Sequence, residues 1–258
     1  MKKILALTLA LVLALSLCAC GGGNADTTTT DNGDAADTAT VEIPPVEDLT
    51  GTDTSAIPGV EDGVLTVGME CTYAPYNWTQ TDDSNGAVPI VNNPGSYANG
   101  YDVMIAQRIC DTYGWKLEVQ AIEWDGLIPA LNAGTIDAVI AGQSMTTSRM
   151  EQVDMAGPYF YASIVCVAKK DSEQAKAKGI SELTGTCTAQ SGTIWYTDCL
   201  PQVEGAQIMA QSESAPAMIM AVESGTVDFI CTDMPTAMGA VAAYPDMKIL
   251  DFTDSDDN

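Results

Sequence analysis

Two segments of this chain carry the same pattern of residues, and this internal repeat constrains the fold more than any other feature. Residues 130–140 (ALNAGTIDAVI) and 221–231 (AVESGTVDFIC) each show a helical apolar face, a Gly-Thr pair, a branched residue, an aspartate and an apolar run. In both, the glycine is expected to end a helix, and the apolar run is expected to form a buried strand. Helices that alternate with strands favour a mainly parallel sheet, so the repeat predicts two α/β lobes of like architecture.

A polar stretch, residues 141–149 (AGQSMTTSR), directly follows the first of these repeated strands. A helix is predicted to begin within it, capped by Thr146 or by Ser148, which has capping-box spacing to Glu151. Free backbone amides and the positive end of a helix favour an anion at such a place. The stretch therefore predicts an anion-binding loop.

Opposite charges follow the two repeated strands, at the ends where sheets of this type bind ligands. We predict that Arg149 binds the carboxylate of a small ligand, with Gly142 and Ser144 completing the grip. The alternative is that Arg149 is a solvated residue of a surface helix. Asp233, at the end of the second repeated strand, offers a carboxylate for an ammonium group. An arginine from one lobe and an aspartate from the other together predict a receptor for an amino acid.

The charge balance of the chain excludes several other classes of function. Its 258 residues hold 10 Lys and Arg against 35 Asp and Glu, and the net charge is −25. Such an acidic chain does not attract nucleic acid or an anionic membrane surface, so any membrane attachment must be covalent or apolar. The sequence has no histidine, which excludes His-based catalytic triads. No metal or other cofactor is predicted.

The first 20 residues are predicted to be a lipoprotein signal peptide. A basic start precedes an apolar segment, residues 4–17, that is too short to cross a membrane comfortably. Residues 17–21 (LCACG) resemble a bacterial lipobox, in which Cys20 would carry the lipid. The alternative is an ordinary secretory signal that is cut elsewhere. Residues 21–60, rich in Gly, Thr, Asp and Ala, are predicted to form a disordered tether.

Several short motifs follow one another in a fixed order after residue 64. They are Tyr73-Ala74-Pro75-Tyr76, Gly100-Tyr101-Asp102-Val103, Trp124 to Leu131, Ser144 to Arg149, Gly157-Pro158-Tyr159-Phe160, Ser191-Gly192-Thr193 and Asp228 to Asp233. Each motif alone is weakly specific. In this order they resemble the family 3 extracellular solute-binding proteins of amino-acid ABC transporters, and the resemblance covers residues 64–258.

The resemblance implies an α/β, two-lobed periplasmic-binding-protein-like (type II) fold with a hinge crossing near residues 161–165. It implies lobe 1 at residues 61–163 and lobe 2 at residues 164–258, and a hinge motion that closes the lobes on a ligand. In the family, the chain returns from lobe 2 to lobe 1 near its end. The present sequence stops about where that return begins, so it is either a truncated gene product or a fold that lacks the C-terminal return to lobe 1. For an incomplete first lobe we expect reduced stability.

The resemblance also implies which residues bind the ligand's backbone groups. Arg149 would take the α-carboxylate, helped by Ser144 and the backbone of Gly142. Asp233 would take the α-ammonium. The region of Thr193 would add backbone or hydroxyl contacts from the second lobe.

Four more residues are implied to surround the rest of the ligand. Tyr73 and Trp124 would sandwich its apolar part, although aromatic residues usually serve in core packing. Glu70 occupies a position where the family often carries an aspartate that faces the ligand side chain. Gln190 would face the side chain from the other lobe. For Glu70 the alternative is an ordinary surface carboxylate.

The implied function is that of an extracytoplasmic receptor, held on a bacterial cell membrane by its lipid anchor alone. It would bind a free amino acid as a monomer, deliver it to the permease of an ABC importer, and perform no catalysis. One alternative is an enzyme of the same fold, a dehydratase acting on cyclohexadienyl carboxylates, in which Glu70 would be the acid. Another is a sensory ligand-binding domain. The sequence does not distinguish among amino acids.

Six cysteines remain after Cys20. Three of them, Cys110, Cys166 and Cys231, lie in apolar patterns and are predicted to be buried free thiols. Cys187 with Cys199 is the one pair that we would test for a disulfide, since an exported protein permits one. The spacing of the cysteines does not predict a zinc site.

Overall fold

The computed structural model describes residues 45–255. The predicted signal peptide, the predicted lipidation site at Cys20 and most of the predicted tether lie outside the described residues. Strands are β1 (Val64–Met69), β2 (Thr72–Tyr73), β3 (Asn77–Gln80), β4 (Val88–Pro89), β5 (Tyr97–Asn99), β6 (Lys116–Ala121), β7 (Ala138–Val139), β8 (Ile164–Lys169), β9 (Gly185–Thr188), β10 (Ala206–Ile208), β11 (Phe229–Asp233) and β12 (Met247–Leu250). Helices are α1 (Tyr101–Tyr113), α2 (Leu127–Asn132), α3 (Thr147–Met150), α4 (Ala215–Glu223) and α5 (Met234–Ala243).

The first lobe, β1 to α3, is built on a parallel sheet in the order β6-β1-β7. Helix α1 buries Val103, Ala106 and Cys110 in the same apolar cluster as strands β1 and β6. The helix ends at Gly114, whose φ of 75° is a conformation that glycine adopts without strain. The apolar patterns of residues 64–69, 102–113 and 117–122 predict a strand, a helix and a strand, and these predictions are confirmed to within a residue.

A second, antiparallel sheet in the first lobe was not predicted. Its order is β2-β3-β5-β4, and three of its strands lie in or extend into residues 79–99, a polar region whose composition predicts a surface insertion. Polar residues of these strands are buried as well as apolar ones: Asn77 is fully buried and its amide is hydrogen-bonded on both sides. Because the strands have two to four residues each and include several polar ones, apolar periodicity could not reveal them.

The second lobe, β8 to β12, contains a sheet in the order β10-β9-β11-β8-β12. Strands β10, β9 and β11 run parallel, as predicted, but β8 is antiparallel to both of its neighbours. The sheet is therefore mixed, because β8 enters it directly from the inter-lobe segment and not through a crossover helix. Within the described residues, the first sheet receives no strand from the chain that follows β8.

The sequence predicts that Asp125 caps a helix and that residues 136–141 form a strand; the first prediction is wrong, and the second is confirmed only in part. Asp125 does not cap a helix; it lies in a short 3₁₀ turn, and α2 begins after it at Leu127. The carboxylate of Asp125 instead accepts a hydrogen bond from Ser191 of the second lobe. The strand expected over residues 136–141 is paired only at β7, because β1 is its one neighbour within the described sheet.

Residues 45–60, the last part of the predicted tether, lie against the first lobe. The amide of Leu49 donates to the carbonyl of Thr112 at 2.8 Å, and Nη2 of Arg108 donates to the carbonyl of Pro45 at 3.0 Å. Val60 is buried in the apolar cluster of this lobe. This part of the tether therefore makes defined contacts with the fold.

The six described cysteines are free thiols. Cys110, Cys166 and Cys231 are buried, which confirms that prediction. The pair suggested for a disulfide is not joined, and Cys199 lies within hydrogen-bonding range of Cys231 instead. Strand register explains part of this arrangement, because it places Cys231 directly opposite Cys166 on adjacent strands of the second sheet.

Candidate ligand-binding site

A cavity lies where the two lobes meet, beside the loops that follow strands of both main sheets. With its mouth it has an empty volume of about 280 Å³. Its lining residues are Tyr73, Trp124, Gly142, Ser144, Arg149, Gln190, Thr193, Ile194 and Trp195. Seven of the nine predicted binding residues are in this set. The other two, Glu70 and Asp233, are each hydrogen-bonded to a residue of the lining.

The guanidinium of Arg149 connects the two lobes at the cavity wall. Its Nη1 donates to the carbonyl of Ser144 at 2.7 Å, and its Nη2 donates to the carbonyl of Gly192 at 2.8 Å. Its Cζ lies 5.5 Å from the ring centroid of Trp124, a cation–π distance. Arg149 is only 9% exposed, so it is not the solvated surface residue of the alternative interpretation. Burial lowers the pKa of Arg149, but a guanidinium keeps its charge in a protein and has five N–H donors.

Helix α3, which carries Arg149, is a single turn. Of the two predicted caps the structure uses Thr146, whose hydroxyl accepts a hydrogen bond from the amide of Arg149 at 3.3 Å. A helix this short has little macrodipole to offer an anion. The attraction for an anion at this wall therefore comes from the charge of Arg149.

Gly142 lines the cavity with a φ of 66°, a left-handed conformation that favours glycine. A Cβ at this position would lie 3.2 Å from the ring of Tyr73, so the close approach of the two residues also favours glycine. The amide of Gly142 donates to the hydroxyl of Tyr159 at 2.9 Å. The backbone group that the resemblance assigned to the ligand thus has an acceptor within the protein.

Asp233 is held behind Tyr73 in the second lobe. One carboxylate oxygen accepts from the amide of Thr236 at 2.8 Å and caps α5, and the other accepts from the hydroxyl of Tyr73. Asp233 is buried, and burial raises the pKa of its carboxyl. Its charge is therefore linked to the cavity through the Tyr73 hydroxyl, and the ring of Tyr73 is 6.1 Å from that of Trp195.

Glu70 follows β1 and is also buried, with 6% of its surface exposed. Its Oε1 accepts a hydrogen bond from Nε2 of Gln190 at 3.0 Å. Burial raises the pKa of Glu70 to about 7, and the nearby carboxylates of Glu123 and Asp125 act in the same direction. Glu70 is therefore buried, lies in a negative field and contacts the cavity-lining residue Gln190. It is not an ordinary surface carboxylate.

Four hydrogen bonds therefore cross between the lobes around the cavity. They join Tyr73 to Asp233, Gln190 to Glu70, Arg149 to Gly192 and Ser191 to Asp125. The two lobes are therefore in direct contact through polar groups around the cavity.

Sequence reasoning missed two lining residues, Ile194 and Trp195, and two residues behind the wall, Asp102 and Tyr159. Ile194 and Trp195 directly follow Thr193, so their place next to a predicted site residue was an available signal. Asp102 and Tyr159 lie in motifs that carried the family resemblance, but nothing in their spacing indicated that they contact each other.

Among the residues from 45 to 255, no group of three or more Cys, Asp or Glu side chains is arranged to hold a metal ion. In the same residues, every helix is too short or too polar to cross a bilayer.

Comparison with known proteins defines the class. Residues 65–193 match the bacterial extracellular solute-binding proteins, family 3. The chain belongs to this family, which confirms the resemblance, and the two-lobed type II fold agrees with that of its structural relatives.

Relatives of the chain bind several amino acids. It is 30% identical to the L-cystine-binding protein TcyA of Bacillus subtilis, over 66% of this chain and 58% of that protein. It is 25% identical to the L-arginine-bound binding protein AbpA of Streptococcus pneumoniae, with a TM-score of 0.64 over 76% of this chain and 78% of that chain. An ancestral amino-acid-binding protein, described as a precursor of cyclohexadienyl dehydratase, gives 27% identity and a TM-score of 0.64, over 77% of this chain and 82% of that chain.

The chain spans about three fifths of the length of the curated relatives it matches, for example 58% of TcyA and 62% of the binding protein YckB of Bacillus subtilis. By their names, these relatives include binding proteins for L-cystine and L-arginine.

Proposed function

We propose that this protein binds one free amino acid in the cavity between its lobes and delivers it to the permease of an ABC importer. Arg149 takes the α-carboxylate, with Ser144 and Thr193 beside it. Asp233 balances the α-ammonium, and Tyr73 and Trp124 enclose the ligand's carbon chain. The observation that carries this proposal is the buried guanidinium of Arg149, which lines a cavity that it shares with Tyr73 and Gln190, the hydrogen-bond partners of the buried carboxylates of Asp233 and Glu70.

Charge supports a preference for a cationic side chain. Glu70 is buried and bonded to Gln190, in the field of Glu123 and Asp125, and no Lys or Arg of residues 45–255 forms an ion pair with it. A ligand guanidinium, ammonium or imidazolium near Glu70 would supply a positive partner and stabilise the ionised carboxylate. Relatives that bind arginine or are described as probable histidine-binding proteins fit this preference.

Calorimetric titration with each proteinogenic L-amino acid and with L-cystine tests the proposal. We expect L-arginine, L-lysine or L-histidine to bind most tightly. Arg149→Gln should weaken that binding by at least about a hundredfold, because it removes a buried charge pair with the carboxylate. Arg108→Gln is the matched control, since it removes the same charge from helix α1, away from the cavity. Equal affinity in Arg149→Gln and in wild type would refute the assignment of Arg149.

The preference for a cation has its own control. Glu70→Gln should reduce the affinity for L-arginine about tenfold or more and leave the affinity for neutral amino acids nearly unchanged. Glu123→Gln removes a nearby but less buried charge and should have a smaller effect. A Glu70→Gln variant that lost affinity for every amino acid alike would argue against the proposed preference.

Attachment to the outer face of the membrane through a lipid at Cys20 is the second part of the proposal, supported by the lipobox-like residues 17–21. Metabolic labelling with a radioactive fatty acid should mark the wild-type protein and a Cys18→Ala variant. Label retained in Cys20→Ala would contradict the assignment. The same proposal includes a tether over residues 21–44, a lobe boundary at residues 163 and 164, and a monomeric state.

A dehydratase activity is the second candidate, because Glu70 is a buried carboxyl with a pKa raised to about 7, as a general acid requires. The relation to a precursor of cyclohexadienyl dehydratase adds to it. Release of water from a cyclohexadienyl carboxylate, lost in Glu70→Gln, would favour the enzyme. Tight amino-acid binding without turnover favours the receptor.

A further inference from the structure

A chain of three hydrogen bonds runs from the cavity wall into the first lobe. The amide of Gly142 donates to the hydroxyl of Tyr159 at 2.9 Å. That hydroxyl donates to Oδ1 of Asp102 at 2.6 Å, and Nδ2 of Asn77 donates to Oδ2 of Asp102 at 2.7 Å. The chain links residues from β3, α1, the inter-lobe segment and the loop after β7.

The buried carboxylate at the end of this chain determines the direction of each bond. Asp102 and Asn77 are both fully buried, so the carboxylate depends on its donors for stabilisation. The hydroxyl of Tyr159 has one proton, which it donates in the hydrogen bond to Asp102. The negative charge of Asp102 makes the Tyr159 oxygen a stronger acceptor. That oxygen accepts a hydrogen bond from the amide of Gly142. Burial raises the pKa of Asp102 to about 6, so at neutral pH the carboxylate is mostly ionised.

Gly142 needs such a partner because its own conformation is weakly determined. As a glycine at φ 66° it has no side chain that restricts rotation of its peptide. It begins the segment that contains Ser144 and Arg149, and the carbonyl of Ser144 accepts from the Arg149 guanidinium. A change in the Gly142 peptide would therefore move the wall that presents Arg149 to the cavity.

We propose that Tyr159, held by Asp102, is a positioning residue: it keeps the Gly142 peptide, and with it the segment from Gly142 to Arg149, in the conformation that receives the ligand carboxylate. Tyr159 lies in the segment that joins the lobes, so the carboxylate-binding wall is anchored to that joining segment. This inference rests on the proposed function, because it assigns the carboxylate to this wall.

A matched pair of tyrosines provides the test. Tyr159→Phe removes the hydroxyl that accepts from Gly142. Tyr101→Phe removes a hydroxyl that donates to the carbonyl of the same Tyr159 at 3.0 Å, without touching Gly142. Each variant is titrated with L-arginine and with L-argininamide, in which the carboxylate is replaced by a neutral amide. L-histidine and L-histidinamide serve as a second probe pair.

Tyr159→Phe should weaken binding of L-arginine about tenfold, because one oriented hydrogen bond at the carboxylate wall is lost. Its affinity for L-argininamide should stay near the wild-type value, so the preference of the protein for the carboxylate falls. Tyr101→Phe should leave that preference unchanged. A merely structural role for Tyr159 would weaken both ligands equally, and this result would overturn the inference.

Asp102→Asn keeps the test decisive if Tyr159→Phe fails to fold. It retains the shape of the side chain and the Tyr159 hydroxyl but removes the charge that orients the hydroxyl. It should reduce the preference for the carboxylate by a smaller factor, and an unchanged preference would overturn the inference. Wild-type protein that bound neither probe pair would overturn the proposed function, and this inference with it. Wild-type binding with unchanged preference in the variants would overturn the positioning role alone.

Discussion

The two repeated segments, residues 130–140 and 221–231, form nearly identical turns but very different strands. The turn glycines Gly134 and Gly225 have φ values of 68° and 74°. In each turn the next amide donates back to the helix, at 3.0 Å in the first segment and 2.8 Å in the second. The amides of Gly134 and Gly225 likewise donate to the carbonyls of Leu131 and Val222, at 3.0 and 3.1 Å.

The aspartate of each segment also makes the same contact with a neighbouring strand. Asp137 accepts from the amide of Thr66 at 2.8 Å, and Asp228 accepts from the amide of Thr186 at 2.7 Å. In both cases the main-chain amide of the aspartate donates back to the carbonyl of the same threonine, at 2.8 and 2.9 Å respectively. One local sequence thus fastens a helix end to a parallel strand in each lobe.

The strands that follow differ because their surroundings differ. Strand β7 has two residues, both partly exposed, and pairs with β1 on one side within the described sheet. Strand β11 has five residues, all buried, and pairs with β9 and β8 on its two sides. Equal local sequence therefore produces equal turns, while the length of a strand depends on how many neighbours are available to pair with it.

The largest difference between the two segments should appear when equivalent strand side chains are truncated. Ile230 is fully buried in the central strand β11, whereas Val139 is partly exposed in β7. Ile230→Ala should lower the free energy of unfolding by about 4 kcal/mol, and Val139→Ala by about 1 kcal/mol. Urea denaturation of the two variants measures the difference. Similar losses would mean that the two strands contribute equally to the folded state.

The pH dependence of stability should distinguish two of the buried carboxyls, those of Glu70 and Asp233. Burial raises the pKa of Glu70 from 4.5 to about 7, and its carboxylate accepts one hydrogen bond, from Gln190. Asp233, also shifted upward by burial, accepts two. Between pH 4.5 and 7 the folded chain binds more protons at Glu70 than the unfolded chain does, so the free energy of unfolding falls as the pH rises through that window.

The decrease attributable to Glu70 is about 3 kcal/mol. Glu70→Gln should remove that part of the slope, and Asp233→Asn should remove a smaller part, because donors already stabilise the ionised form of Asp233. Urea denaturation at pH 4.5, 6 and 8 checks this. A slope that stayed the same in Glu70→Gln would show that other groups cause the pH dependence.

Replacing either of the two equivalent aspartates should lower the free energy of unfolding by a similar amount. Asp137→Ala and Asp228→Ala each remove a charged acceptor from a neighbouring strand amide, so each should cost about 2 kcal/mol of unfolding free energy. Asn at either position should restore part of the loss, since its carbonyl oxygen still accepts. Unequal losses would mean that the strand environment, and not the turn, determines what the aspartate contributes.

The turn glycines should show the smallest and most nearly equal effects. A Cβ at Gly134 or at Gly225 would meet no atom within 4 Å, so an alanine is opposed by backbone conformation alone. Gly134→Ala and Gly225→Ala should each cost about 1 kcal/mol, and Asn, which tolerates this conformation better, should cost less. Thermal unfolding of the four variants measures these shifts. A much larger loss at one site would reveal a difference between the turns.

Much of the candidate site was predictable, because its parts lie in short segments with strong local signals. The loop from Gly142 to Arg149 follows a recognisable helix, turn and strand, and the family motifs marked Tyr73 and Trp124. The sequence could not predict how the site groups pair. The partners Tyr73 and Asp233 are 160 positions apart, and Gln190 and Glu70 are 120 apart. Such contacts depend on how two separate sheets meet.

The errors have the same origin. Asp125 had the sequence of a helix cap but contacts Ser191 of the other lobe. Residues 136–141 had the composition of a full strand but are paired only at β7, because a strand extends only where a neighbour supplies hydrogen bonds. In the small antiparallel sheet, polar residues are satisfied by contacts that apolar periodicity does not record.

Local sequence alone predicted the repeated helix–turn–strand unit, the acidic charge, and an arginine and an aspartate near the ends of corresponding strands. Each of these follows from residue type and spacing over a few neighbouring positions. Only the tertiary structure decided that Arg149 is buried between two carbonyls, that Asp233 is joined to the cavity by Tyr73, and that Tyr159 holds Gly142. The physical reason is that a buried polar group is stabilised by whichever partner the packing brings within hydrogen-bonding distance, and packing joins residues that are far apart in the chain.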